Sequence, residues 1–74
     1  MKKVTTAVQI GLAIRARRLE LGFTQDDFAQ HVEMYPSHFG RVERGEKNAS
    51  VPTLLRIATG LGMTLSRLLA KAGL

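Results

Sequence analysis

Gly22, Gly45 and Gly62 cut this chain into short pieces. Each glycine follows a run of apolar residues at helical spacing, and Thr24, Ser50 or Thr64 stands just ahead of the next run. A glycine one step past a helix supplies the left-handed backbone that closes it, and a hydroxyl residue ahead of a helix accepts an orphan N–H of the first turn. No stretch alternates with period two for long, so strands are not expected. The punctuation predicts an all-α chain of five helices.

The first helix is expected to start after Thr5 or Thr6, with Ile10, Ile14, Arg17 and Leu21 on one face and Gly22 at its end. Phe23 turns inward. Thr24 caps the second helix, whose inner face is Phe28, Ala29 and Val32, and Asp26 and Asp27 suit the positive end of its dipole. Glu33-Met34-Tyr35 is the break. Pro36 opens the third helix, where its missing N–H costs nothing. Phe39 and Val42 point inward. Ser50 and Pro52 begin a fourth helix with Leu54, Ile57, Ala58 and Leu61 inside, and Thr64 caps a short fifth helix carrying Leu65, Leu68 and Leu69.

Composition narrows the function. The 74 residues suffice for one domain spanning 1–74, with residues 1–6 expected to be flexible. A domain this small buries only roughly 60 % of its unfolded surface, which favours oligomerisation. Without cysteine there is no disulfide and no thiolate metal site. His31 and His38 have no acidic partner at metal-ligand spacing, so no metal and no cofactor are expected. No apolar run approaches the ~20 residues of a membrane span, and Met1-Lys2-Lys3 leads into no signal-peptide core. The expectation is a soluble cytoplasmic protein, nucleoid-associated, with no membrane partner. Eleven Lys and Arg against six Asp and Glu give a net charge of +5, which attracts polyanions, nucleic acid above all. No Ser, His and acid set suggests a nucleophile with its base, so an enzyme is not expected.

The informative stretch is T-Q-D-D-F-A-Q-H-V-E-M-Y-P-S-H-F-G-R-V-E-R-G, residues 24 to 45. Two short helices joined by about three residues must cross steeply, as in a helix-turn-helix. The crossing needs a small residue at the contact, supplied by Ala29, and apolar anchors, supplied by Phe28, Val32, Met34, Phe39 and Val42. Pro36, Ser37, Gly40, Arg41 and Arg44 are left on the outer side of the second of these helices. Such a helix fits the major groove, with residues near its N-terminus reaching base edges.

The pieces I-R-A-R-R-L-E-L-G-F-T-Q (14 to 25), D-D-F-A (26 to 29), R-V-E-R-G (41 to 45) and L-L-R-I-A-T-G-L-G (54 to 62) stand in the order and at the spacing of a known family. The chain resembles the phage-repressor/Cro-type (XRE-like) helix-turn-helix DNA-binding proteins over about residues 10 to 69. The resemblance implies a compact five-helix lambda-repressor-like domain that usually works as a dimer on an inverted repeat. It implies base reading by Pro36, Ser37 and Arg41, with Tyr35 and Gly40 flanking. It places Gln25, Arg44, Lys47 and Asn48 at phosphates, Gln25 also bracing the recognition helix. It pairs Arg18 with Glu43 in a partly buried salt bridge between the first and third helices.

Three residues depart from the family pattern. Glu33 replaces the usual turn glycine, so either it takes a left-handed backbone at a cost of order 1 kcal/mol or the turn differs from the family's. Tyr35 replaces the usual Ser or Thr cap of the third helix. Pro36 cannot donate to a base, so direct readout rests on Ser37 and Arg41.

Val8, Leu12 and Leu19 lie on the side of the first helix opposite Ile10 and Ile14, and are one candidate partner surface. The fifth helix is the other: Leu65 and Leu69 are expected to turn inward, with Leu68 at the wet margin, and Leu65, Leu68 and Leu69 together to form a homodimer interface. Five residues follow Leu69, so no effector-binding module is expected. The function expected is a sequence-specific transcriptional regulator bound to double-stranded DNA. Among the types the resemblance offers are a restriction–modification controller, a small phage repressor and an antitoxin. The alternatives are an antitoxin of a toxin–antitoxin pair, a protein–protein module that binds a toxin partner as well as its own operator, and a sequence-neutral DNA binder. A toxin or the transcription machinery is the kind of protein partner expected.

Overall fold

The computed structural model describes residues 4–74. The helices are α1 (Thr6–Glu20), α2 (Gln25–His31), α3 (Pro36–Glu43), α4 (Val51–Gly60) and α5 (Leu65–Lys71), with no strand among the described residues. Thr5, Thr24, Ser50 and Thr64 each accept a backbone N–H of their helix through the side chain. Thr5 is thus the cap of α1 and Thr6 its first residue; residues 1–3 lie outside the described residues. Tyr35 precedes α3 without a side-chain cap, as its phenol requires.

One core joins the helices. Ile14, Phe28, Ala29, Phe39, Ile57, Leu61 and Leu68 are fully buried, with Val32, Val42 and Ala58 nearly so. Burying each large apolar side chain contributes about 1.5–3 kcal/mol. The Phe28 ring is its hub, tilted against Phe39 at 5.1 Å and edge-on to Phe23 at 5.3 Å. Phe23 in turn stacks on His31 at 4.9 Å, so it is only partly buried.

Two helix contacts depend on glycine for space. A Cβ at Gly11 would stand 2.2 Å from the Glu43 carbonyl oxygen, and one at Gly60 would stand 2.3 Å from Val32 Cγ1. α1 therefore rests backbone to backbone on the end of α3, and α4 lies close on the end of α2. Both contacts fix the frame from which α3 projects.

The turn between α2 and α3 follows from Glu33, whose φ of 58° makes it the one non-glycine described residue in the left-handed region. Met34 then donates its N–H to the Ala29 carbonyl at 2.8 Å and Glu33 its own to Gln30 at 3.1 Å, closing α2. These bonds, and the burial of Met34, offset the strain of about 1–2 kcal/mol.

Two expectations are corrected. Leu21 is 40 % exposed, because α1 presents Gly11, Ile14 and Arg18 to the core and ends before Leu21 can reach it. Leu68 is fully buried, while Leu65 and Leu69 are only partly covered. α5 is rotated from the expected orientation: Leu68 fills the core, so it is not a marginal residue and offers no surface to a partner.

Candidate nucleic-acid interface

The core fixes which side of α3 is open. Phe39 and Val42 face inward, and Pro36, Ser37, Arg41 and Arg44 are exposed on the outer side. Tyr35, at the head of the helix, is 83 % exposed. The N-terminal turn of α3, whose orphan N–H groups point outward, is thus presented with Ser37 and, one turn on, Arg41.

Gly40 departs from the expected open placement, being buried. A Cβ there would meet Arg44 Nη1 at 3.0 Å and Gln25 Oε1 at 3.3 Å. The side chains of Gln25 and Arg44 therefore converge over Gly40 and cover it. Its contribution is to let those two polar groups approach the helix surface.

Behind this surface lies a buried polar lock. Arg18 donates from Nε to Glu43 Oε2 and from Nη2 to Glu43 Oε1, both at 2.8 Å, and from Nη1 to the Phe23 carbonyl at 2.8 Å. Glu43 Oε1 also accepts from Gln25 Nε2 at 3.1 Å. The bond to Glu43 raises the Arg18 pKa against the opposing effect of burial. One carboxylate thus ties α1, the first residue of α2 and the last residue of α3. The expected Arg18–Glu43 pair and the bracing role of Gln25 both have their geometry here.

At the far end of α3, Arg44, Glu46, Lys47 and Asn48 are all exposed. Arg44 Nε donates to the Glu46 carboxylate in an exposed ion pair. That bond, and then the charges of Arg44 and Arg41, hold the Glu46 carboxyl below the usual glutamate range, while partial desolvation opposes them. Sequence reasoning missed this anion. The signal available was a lone Glu between Arg44 and Lys47, directly after a helix-closing glycine. Among the described residues no group of His, Asp and Glu side chains could hold a metal ion, and no helix is long and apolar enough to cross a membrane.

Two short helices joined by the left-handed turn at Glu33, with the second projecting an open basic face, define a helix-turn-helix module. The profile of the helix-turn-helix domain family matches residues 9–70, and the chain belongs to that family. Its likeness is to regulators of the phage-repressor/Cro type. It is 32 % identical over 54 residues to the control protein C.MunI of a Mycoplasma species, 73 % of either chain. It is 32 % identical to the restriction-modification controller protein C.AhdI from Aeromonas hydrophila, with a TM-score of 0.80 over 84 % of this chain and 94 % of that one. The clp gene regulator ClgR from C. glutamicum superposes with a TM-score of 0.91 at 25 % identity, over 97 % of this chain and 92 % of that one.

Proposed function

We propose that this protein is a transcriptional regulator that binds duplex DNA in a sequence-specific manner, as a two-fold dimer on an inverted repeat. The observation that carries the reading is the two-sidedness of α3. Its inner side is locked by Phe39, Val42 and Glu43, and its outer side presents Ser37, Arg41 and Arg44 to solvent. The likeness to proteins named as controllers supports a regulatory role.

In this reading Arg41 forks onto a guanine edge, Ser37 bonds a neighbouring base and Pro36 packs against a thymine methyl. Tyr35 flanks them, and Gly40 lets Gln25 and Arg44 settle close to the groove wall. Gln25, Arg44, Lys47 and Asn48 take phosphates, which set register without reading sequence. The half-buried Leu65 and Leu69 of α5 form the surface between subunits. The two copies of α3 then enter successive major grooves about 34 Å, or ~10 bp, apart.

The test is a titration of duplex DNA over a series of salt concentrations, with sedimentation at saturation. The reading expects two protomers per site. It also expects Lys47→Ala on any duplex, and Arg44→Ala on a duplex carrying the site that wild type enriches from random DNA, each to lower the slope of log K against log salt by about one counterion. Monomers at saturation would remove the dimer, and unchanged slopes would remove the phosphate contacts.

A further inference from the structure

Glu46 is set against the basic end of α3 by the backbone. Gly45, at φ 73°, reverses the chain, and the Glu46 N–H bonds back to the Arg41 carbonyl at 2.9 Å. The reversal returns the Glu46 carboxylate to the last turn of α3, where it pairs with Arg44 and lies within the field of Arg41. Gly45 also lies close against α1, where a Cβ would stand 2.6 Å from the Val8 Cα. An anion is thus built in beside Arg41 and Arg44 at the basic end of α3.

We propose that Glu46 is a specificity-determining residue, an internal competitor that occupies the Arg44 guanidinium and must be displaced by a DNA phosphate. The inference rests on the DNA-binding reading above. Sequence-neutral binding comes almost entirely from phosphate contacts and counterion release. A loosely docked duplex does not hold a phosphate at the Arg44 position, so Arg44 stays with Glu46 and the carboxylate repels the strand. A duplex held in register by base contacts places a phosphate there, and the exchange is completed. Glu46 therefore weakens binding to the wrong DNA more than binding to the right DNA.

The experiment titrates two labelled duplexes of ~20 bp, two half-sites long, by fluorescence anisotropy over a salt series, one of mixed sequence and one carrying the site that wild type enriches from random DNA. The gains expected are those on the mixed duplex, and an equal gain on the enriched site overturns the proposal. Wild type, Glu46→Gln, Arg44→Ala and the double variant are compared, each with a thermal melt. Glu46→Gln is expected to tighten binding roughly two- to fivefold, the range of an exposed ion pair, and to steepen the salt slope by about one. In the Arg44→Ala background the same change should give a clearly smaller gain. Equal or weaker binding by Glu46→Gln overturns the proposal. An equal gain in both backgrounds also overturns it, because the carboxylate then acts by general repulsion and not through Arg44. If wild type and all variants melt normally yet none binds duplex DNA, the DNA-binding reading fails and this inference with it.

Discussion

The Arg18 guanidinium and the Glu43 carboxylate meet fork to fork, with both bonds at 2.8 Å and side chains only 8 % and 4 % exposed. A pair this deeply placed has lost its hydration, and each member depends on the other. Glu43→Ala is expected to destabilise the fold by up to about 3–5 kcal/mol, because it leaves a buried guanidinium with only the Phe23 carbonyl. For a chain of this size that upper bound corresponds to a fall in melting temperature of up to roughly 10–40 °C. It also frees Gln25 from α3. A melt equal to wild type would show that the pair contributes nothing.

The contact that seats α1 on α3 is equally specific. Gly11 lies inside a helix, where alanine would ordinarily gain about 1 kcal/mol. Here a Cβ would fall 2.2 Å from a backbone carbonyl, which cannot swing aside as a side chain can. Gly11→Ala is expected to cost about 1–3 kcal/mol net, as overpacking does. Thermal or urea unfolding measures it, and a variant as stable as wild type would contradict the close approach.

How far the sequence foretold this structure depends on the range of the interactions involved. The caps at Thr24, Ser50 and Thr64 and the helix-closing glycines were legible, because each is decided within a few residues of chain, whereas the left-handed Glu33 was one of two alternatives raised by the resemblance. The inward faces of α2, α3 and α4 were legible from periodicity. Leu68 was misplaced because α5 has only seven residues. Over two turns the spacing of 65, 68 and 69 leaves the rotation open, and the docking of α5 on α1 and α4 settles it. Leu21 was misplaced because periodicity does not show where a helix leaves its neighbour. The Arg18–Glu43 pair spans 25 residues and came from resemblance, not from local pattern. The roles of Gly11 and Gly60 lie wholly in packing between helices, and nothing local marks them beyond a glycine where alanine would suit better.

The burial of Leu68 changes how the dimer surface must be probed. A charge at Leu68 would unfold the domain, so the informative change on α5 is Leu69→Glu, at a partly covered position. Its rival is Leu12→Glu on α1, where Leu12 and Leu19 are 58 % and 54 % exposed. In analytical ultracentrifugation Leu69→Glu is expected to shift the protein toward monomer and Leu12→Glu to leave the dimer intact. The opposite pattern would place the interface on α1.

The most direct test of the central claim is selection of bound sites from random duplex DNA, run in parallel on wild type and Arg41→Ala. Wild type should enrich an inverted repeat with half-site centres about one helical turn apart, or a multiple of it. Arg41→Ala should lose preference at one or two base pairs per half-site, at a cost of roughly 1–3 kcal/mol for the lost contact. No enriched sequence for wild type, or the same sequence enriched by both proteins, would contradict base reading by the outer face of α3.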